Sequence, residues 1–378
     1  MKTNRFETFM DAILAIIITI LVLKLPQPAE ASLNAILNLN MRYITYLICF
    51  LIIFIIWYND HNLFQIVDEI DNAIVFVYGI VIFIISLIPY FASWVSRNPT
   101  AIAAETMFGL LFLATNIFYT LAMYLIIRAN PYNEKLKRIN LKDYKRYVPC
   151  FLILIGFLVS YTAYPYGIYI SCILSTLFWF GASVMKKSQI ENIERFEALF
   201  DAIVAIILTV VVLDIGMAVN GSWGALFDLK IEFIAYAISF VVCFNYWNYN
   251  HNLFSIVNKI DGTVMWSVAA SMFVLSLIPY LSSFVALNFY SFVAQACYGI
   301  DFIIVALLSI VTAKALKEVD KGNIALILAL DNYLQLASTV IVVTGGMIIG
   351  YLFYPPAVII SCLLSIFLLW LIPHVQKL

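Results

Sequence analysis

Long apolar runs, separated by short polar segments, follow one another along the whole chain. Each run is roughly 17 to 26 residues long, which suits a hydrocarbon core of about 30 Å crossed by a helix that rises about 1.5 Å per residue. The runs lack the alternation with a period of two residues that the strands of a membrane β-barrel require. Since a helix also satisfies every backbone polar group within its own segment, the pattern predicts an all-α membrane protein of about twelve transmembrane helices.

The twelve predicted helices fall into two sets of six. Arg5, Glu7 and Asp11 precede the first apolar run, and no small-residue cleavage site follows it. We therefore expect a retained first helix rather than a signal peptide. The predicted spans lie at about 8–25, 41–62, 72–96, 102–128, 146–163, 166–184, 198–215, 231–252, 262–286, 292–313, 332–352 and 356–373.

The two sets of helices are copies of one unit. When the sequence is aligned with itself at an offset of 190 residues, RFETFMDAILAIIITILVL at Arg5–Leu23 lies over RFEALFDAIVAIILTVVVL at Arg195–Leu213, and HNLFQIV lies over HNLFSIV. About 52 of roughly 188 aligned pairs are identical, with no gap required. Self-similarity of this kind indicates an internal duplication. We therefore expect two six-helix domains, at 1–188 and 191–378.

Lysine and arginine residues predict the orientation of the chain. With the N-terminus inside, about seventeen of them fall in cytoplasmic segments, and only Lys24, Arg42, Arg97 and Lys230 fall on the other side. This asymmetry favours six spans per repeat over five or seven, because cytoplasmic loops carry the excess of basic residues. An even number of spans makes the two repeats parallel, related by an axis along the membrane normal. We expect a multi-pass protein of the cell membrane with both termini in the cytoplasm.

Composition narrows the functional classes. The chain is 64% hydrophobic and 11% charged, with a formal net charge of −1, so it has no general attraction for polyanions, and no basic stripe suggests nucleic-acid binding. The six cysteines have no C-x-x-C spacing for zinc or redox chemistry and are expected to be packing residues. No metal-ligand set and no nucleophile with a base are evident. We expect neither an enzyme nor a bound cofactor.

The first helix of each repeat carries the same stripe of residues on one face. At about 100° per residue, four positions of the first helix fall within about 60° of one another, and the second repeat has the same residue types there. One interpretation is a helix-packing seam, where small and hydroxylated residues allow close approach. The other is a pore lining with a hydrophobic ring and a hydroxyl ring. The stripes are Ala12, Ile16, Thr19 and Leu23, and Ala202, Ile206, Thr209 and Leu213.

Ionisable residues lie inside the same ends of the first two helices. An aspartate in the first helix lies about 100° from the stripe, and a charge at that depth requires a partner. A histidine at the end of the second helix reaches a similar depth, four residues after a tryptophan. We expect a structural polar network between helices, with proton sensing or transfer by the histidines as the alternative. Its members are Arg5, Asp11, His61, Arg195, Asp201 and His251.

These first helices resemble the R-x-x-x-F-S-D signature of the transmembrane protein 175 family of potassium channels. The match comprises Arg5, Phe9 and Asp11 in the first repeat and Arg195 and Asp201 in the second. The tryptophan and histidine of the second helix also look like those of the family. The sequence departs from the signature where Met10 and Phe200 replace the serine and where Leu199 replaces the phenylalanine.

The resemblance implies an architecture and a function. The first helix of each unit would line a central pore, and four units would make one channel, so a chain with two units would act as a homodimer in the lipid bilayer. Ile16 and Ile206 would form the constriction, with Thr19 and Thr209 one turn outward, and potassium would be the permeant ion. The polar network would hold the pore helices in place.

The chain lacks two features of ordinary potassium channels. It has no TVGYG filter loop and no arginine-rich voltage-sensing helix. We therefore expect modest selectivity and a leak-like conductance. The alternatives are a proton-permeable cation channel and a secondary transporter, since parallel repeats also build carriers. Carriers have interrupted helices, for which Pro89 and Pro279 in the third spans are the candidates.

Overall fold

The protein is described by a computed structural model. The predicted domain boundaries at 188 and 191 and the first residue of the predicted span 332–352 lie outside the part that the structure describes. The described residues are 3–137, 139, 144–184, 189–190, 193–330 and 333–375.

Helices make up nearly all of the first repeat. Each long helix corresponds to a predicted span, and short helices occur in the connections. A 3-10 turn covers Tyr144–Arg146. The helices are α1 (Thr3–Val22), α2 (Leu33–Leu37), α3 (Asn40–Phe64), α4 (Asn72–Ser86), α5 (Ile88–Arg97), α6 (Ile102–Ala129), α7 (Glu134–Lys137), α8 (Val148–Thr162) and α9 (Gly167–Val184).

The second repeat has the same helices at the same offset. A two-residue strand, β1 (Gln189–Ile190), pairs antiparallel with β2 (Ile260–Asp261), and a 3-10 turn (Val211–Asp214) extends the first helix. The helices are α10 (Ile193–Val210), α11 (Trp223–Asp228), α12 (Lys230–Phe254), α13 (Gly262–Leu275), α14 (Ile278–Leu287), α15 (Phe292–Val319), α16 (Ile324–Leu330), α17 (Tyr333–Leu352) and α18 (Ala357–Val375).

The helices have the length and composition of membrane spans. Within the described residues, eight segments are long and apolar enough to cross a bilayer, and three shorter apolar helices lie at Val148–Thr162, Ala337–Leu352 and Ala357–Leu368. The 20-residue α1 is the first-repeat counterpart of the span at Ile193–Asp214. These twelve helical segments confirm the prediction of a multi-pass, all-α membrane protein.

The third span of each repeat consists of two helices. α4 ends at Ser86 and α5 begins at Ile88, with Pro89 in its first turn, where a missing N–H costs nothing. α13 and α14 are divided in the same way before Pro279. The sequence therefore correctly marked these two positions as helix interruptions.

The described helices separate into two compact units. The first comprises Met1–Leu25 and Asn40–Ser188, and the second comprises Pro26–Leu39 and Gln189–Leu378. The connection after α1 thus belongs to the second unit. Gln27 donates from Nε2 to the carbonyl oxygen of Tyr280 at 3.0 Å, and the Tyr280 hydroxyl donates to the carbonyl oxygen of Pro26 at 3.2 Å.

Within each unit the first helix packs on the second and third spans. α1 contacts α3, α4 and α5, and α10 makes the equivalent contacts with α12, α13 and α14. The last two spans of each unit pack most closely, as α8 on α9 and α17 on α18. Glycines permit this approach, since Gly156 faces Ser171 and Gly346 faces Ser361 with no room for a Cβ atom.

Candidate pore helices

The α1 helix has one face inside its unit and one face outside. Phe6, Met10, Leu14, Ile17 and Leu21 are each 4% exposed or less, at the three- and four-residue spacing of a helix face. The opposite face carries the predicted stripe. Ile16 is 44% exposed and Leu23 is 41% exposed, and Ala12 is exposed as well. Three of the four stripe residues of α1 therefore remain uncovered by their own unit.

The stripe of the second repeat has a similar position. Leu213 is 68% exposed, Thr209 is exposed, and Ala202 and Ile206 are partly exposed. The packed face of α10 consists of large apolar residues such as Phe196, Phe200 and Ile203, all 1% exposed or less. Both first helices thus turn the predicted stripe away from their unit's core.

The two threonines of the stripe differ in burial. Thr19 is only 1% exposed, whereas Thr209 is exposed. Each hydroxyl donates to the carbonyl oxygen of the isoleucine three residues before it, Ile16 or Ile206, at 2.9 Å. The predicted hydroxyl ring therefore has one exposed and one buried type of member within a single chain. Bonds of this kind within a helix turn leave the oxygen lone pairs free to accept.

A tryptophan on the second span holds the buried aspartate of the first. Trp57 Nε1 donates to Asp11 Oδ1 at 2.8 Å, and Trp247 Nε1 donates to Asp201 Oδ1 at 2.7 Å. Asp11 is 5% exposed and Trp57 is fully buried. A hydrogen bond to an ionised acceptor is stronger than a neutral one, so this pair fixes the rotation of the first helix against the second span.

The histidines stack on the same tryptophans. The rings of Trp57 and His61 are 5.0 Å apart, and those of Trp247 and His251 are 5.1 Å apart and nearly parallel. The tryptophan therefore links the aspartate to the histidine in both repeats. His61 is fully buried and contacts Gln65 through Nε2 at 2.8 Å, whereas His251 is exposed.

The two arginines of the predicted polar network differ in burial. Arg5 is exposed, whereas Arg195 is 8% exposed. The structure thus brings the aspartate, tryptophan and histidine together in both repeats and buries the arginine in the second. In the described part of the chain, no group of three or more His, Cys, Asp or Glu side chains is arranged to hold a metal ion.

Sequence reasoning missed a buried carboxylate in the first repeat. Asp60 Oδ1 accepts hydrogen bonds from the hydroxyls of Tyr78 and Tyr119, both at 3.0 Å, and Asp60 is 1% exposed. It adjoins the predicted His61 in the motif WYNDHNLF. A charged residue within an apolar span was the available signal.

The second repeat replaces all three members of this cluster. Asn250, Val268 and Ser309 occupy the equivalent positions. Asn250 donates to the carbonyl oxygen of Tyr246 at 2.9 Å, and Ser309 donates to the carbonyl oxygen of Val305 at 2.9 Å. Asn250 and Ser309 thus each donate to a carbonyl oxygen of their own helix.

A second buried carboxylate that the sequence analysis missed lies in the first turn of α6, the fourth span. Glu105 is fully buried and accepts from the Ser160 hydroxyl at 2.7 Å and from the backbone N–H groups of Tyr166 at 2.6 Å and Ile168 at 3.2 Å. It therefore satisfies donors at the start of α9, where helix N–H groups lack internal partners. Gln295 occupies the same position in the second repeat and accepts from the Ile359 N–H at 3.3 Å.

Comparison with known proteins assigns the family. The profile described as endosomal/lysosomal potassium channel TMEM175 matches residues 5–89 and 195–279, which cover the first two spans and most of the third span of each repeat. A potassium channel of Chryseobacterium sp. (strain P1-3) is 32% identical over 166 residues, which cover 44% of this chain and 86% of that protein. The chain belongs to the TMEM175 family. It is therefore a member of an ion-channel family, as the resemblance of its first helices predicted, and not of a family of enzymes.

Two more distant TMEM175 relatives differ in how much of their length is matched. The endosomal/lysosomal proton channel TMEM175 of Danio rerio is 25% identical over 310 residues, which cover 68% of this chain and 59% of that protein. The crystal structure of a lysosomal potassium-selective channel TMEM175 homolog from Chamaesiphon minutus is 25% identical, with a TM-score of 0.41, and covers 48% of this chain and 98% of that one.

Proposed function

We propose that this TMEM175 protein is a potassium-selective, leak-like ion channel whose pore is lined by α1 and α10. The observation that carries the proposal is the repeated stripe, whose residues other than Thr19 are exposed or partly exposed while the opposite helix face is packed. Lipid would accept any apolar residue on such a face, yet alanine, isoleucine, threonine and leucine recur at the same four positions. The bacterial relative named as a potassium channel supports the choice of ion.

The constriction is assigned to the isoleucines. Ile16 is 44% exposed and Ile206 is partly exposed, each near the middle of its helix. A ring of branched apolar side chains can exclude water and so oppose ion passage. Leu23 and Leu213 lie about two turns further along the same face and would line the wider part, with Ala12 and Ala202 at the opposite end.

The pore requires more than one chain. Two first helices per chain give four around a common axis when two chains associate, so the channel is a homodimer in the lipid bilayer. Both termini are assigned to the cytoplasm of a protein in the cell membrane, on the distribution of basic residues. The purified complex should have the mass of two chains. A stable assembly of four chains would contradict this arrangement.

The polar network is assigned to structure rather than to the ion path. Asp11 and Asp201 lie off the stripe and are held by tryptophan side chains. His61 and His251 stack on those tryptophans, while Arg5 and Arg195 begin the first helices. The network would fix the rotation that aims each stripe at the pore axis.

Two alternatives have specific support. The Danio rerio relative is named as a proton channel, which favours a proton-permeable cation channel. The interrupted third spans at Pro89 and Pro279 are a feature that carriers also have. Both alternatives are tested together with the proposal by recordings from the reconstituted protein.

The experiment measures reversal potentials in opposed potassium, sodium and proton gradients, together with unitary current steps. A potassium channel gives unitary steps and a reversal potential near that of potassium. A reversal potential that follows the proton gradient would favour the proton-permeable channel. Transport without unitary steps, at a turnover far below that of a channel, would favour the carrier.

A further inference from the structure

A small cavity lies in the first unit at the end of the membrane opposite the N-terminus of α1. It opens between the end of α1, the beginning of α3 and the helix α5. Two cations and four hydroxyl residues line it, together with apolar side chains such as Leu21 and Leu25. These polar and hydroxyl residues are Lys24, Arg42, Thr45, Tyr46, Ser93 and Ser96.

The cations of this cavity have no acidic partner. The side chains of Lys24 and Arg42 make no hydrogen bond or ion pair with the residues that the structure describes. Lys24 is exposed and Arg42 is partly exposed. Two like charges that share a cavity repel each other, so the arrangement favours an anion between them.

The second repeat inverts the charge at both positions. Asp214 occupies the position of Lys24, and Glu232 occupies the position of Arg42. Glu232 Oε2 accepts from the backbone N–H of Gly216 at 2.6 Å. The equivalent positions thus hold two basic residues in the first repeat and two acidic residues in the second. A site for an anion at these positions therefore exists once in each chain.

We propose that this cavity binds the phosphate group of an anionic membrane phospholipid. Its place at the ends of spanning helices is the depth of the lipid headgroups, where lysine and arginine side chains can contact lipid phosphates directly. Arg42 supplies the planar guanidinium that suits phosphate oxygens, and the Ser93 hydroxyl can donate a further hydrogen bond. The apolar walls from Leu21 and Leu25 favour a lipid over free phosphate, because they suit its glycerol and upper acyl chain.

The test is native mass spectrometry of the full-length protein with phosphatidylglycerol. The wild type should retain one phosphatidylglycerol per chain. The double variant Lys24→Gln with Arg42→Gln should lose about 30-fold in apparent affinity, at about fivefold per basic residue near the membrane surface. The control Lys230→Gln removes one basic residue in the second repeat and should bind phosphatidylglycerol as the wild type does.

A second variant separates the site from folding effects. Ser93→Leu fills the cavity without changing any charge and should also reduce phosphatidylglycerol binding, while the thermal unfolding midpoint stays close to that of the wild type. Equal binding by the wild type and by both cavity variants overturns the proposal. Displacement of the bound lipid by millimolar inorganic phosphate also overturns it, since the site would then recognise free phosphate and not a lipid.

Discussion

Trp57 and Asp11 join the second span of the first repeat to the helix that carries the candidate pore stripe, through a hydrogen bond of 2.8 Å. Trp247 and Asp201 repeat it at 2.7 Å. The bond lies on the packed side of the first helix, about 100° from the stripe. The residues that anchor the first helix to the second span are therefore different from the residues of the stripe.

Replacing Asp11 with asparagine should destabilise the protein without changing its ion selectivity. Asparagine keeps an acceptor oxygen for the Trp57 N–H, so the expected loss is the difference between a charged and a neutral hydrogen bond, about 1 kcal/mol. Asp201→Asn should cost less, because Asp201 is more exposed than Asp11. Thermal unfolding and reversal potentials of the two variants measure the two effects. A changed selectivity in an Asp11→Asn protein of unchanged stability would place this carboxylate in the ion path.

Replacing the stripe isoleucines with asparagine should raise conductance and relax selectivity. A polar ring at Ile16 and Ile206 would lower the cost of a partly hydrated ion at the constriction. The double variant should exceed either single variant, since both residues are assigned to one ring. Single-channel conductance and reversal potentials are the measurements.

Matched controls for the stripe variants lie on the fourth spans. Ile117 is 52% exposed, and its second-repeat counterpart Leu307 is 47% exposed, so both resemble Ile16 in exposure. Ile117→Asn and Leu307→Asn should leave permeation unchanged. If these controls alter ion flow as strongly as the stripe variants do, the pore must be assigned to a helix other than the first.

Replacing Asp301 with leucine should stabilise the protein. Asp301 is 5% exposed in the middle of α15, and its Oδ2 atom has no hydrogen-bond partner among the described residues. An unsatisfied buried polar group costs about 1 to 3 kcal/mol. Leu111 occupies the equivalent position of the first repeat, so the fold accommodates leucine there. A lower unfolding midpoint, or a loss of channel activity at unchanged stability, would contradict this and assign a working role to the carboxyl group.

Replacing Gly156 with alanine should destabilise the packing of α8 on α9. The added Cβ atom would collide with the side chain of Ser171, and overpacking of this kind costs about 1 to 3 kcal/mol. Ser171→Gly in the same protein should recover part of that loss. Unfolding midpoints of the two single variants and the double variant give the coupling between the sites. Additive effects would show that the collision is not the cause.

The number of spans could be predicted from the sequence because the apolar runs determine it. The correspondence between the two sets of helices could be predicted because the duplication determines it. The stripe itself was visible as residues repeated on one face of an apolar helix, but its exposure was not, because a helix-packing seam would carry the same residues. The partner of Asp11 was not predictable. Trp57 and His61 lie four residues apart on the same helix face, so only the rotation and depth of α3 decide which of them reaches the carboxylate.

The contacts of Asp60 depend on distant parts of the chain. Tyr78 and Tyr119 follow it by 18 and 59 residues, on two different helices. The sequence shows that a carboxylate lies within an apolar span, which indicates that donors must exist. It does not identify those donors, because several hydroxyl-bearing residues of α4 and α6 are available and helix packing selects among them.

The positions of Asp60, Tyr78 and Tyr119 hold different residues in the second repeat, which limits how segments of the two repeats can be recombined. A chimera that receives Asp60 without its tyrosines, in place of Asn250, would place a carboxylate beside Val268 and Ser309. Moving Asp60, Tyr78 and Tyr119 as a set would carry the acceptor together with both donors. The three positions therefore act as one structural group, and we expect hybrids between the repeats to be stable only when that group is exchanged whole.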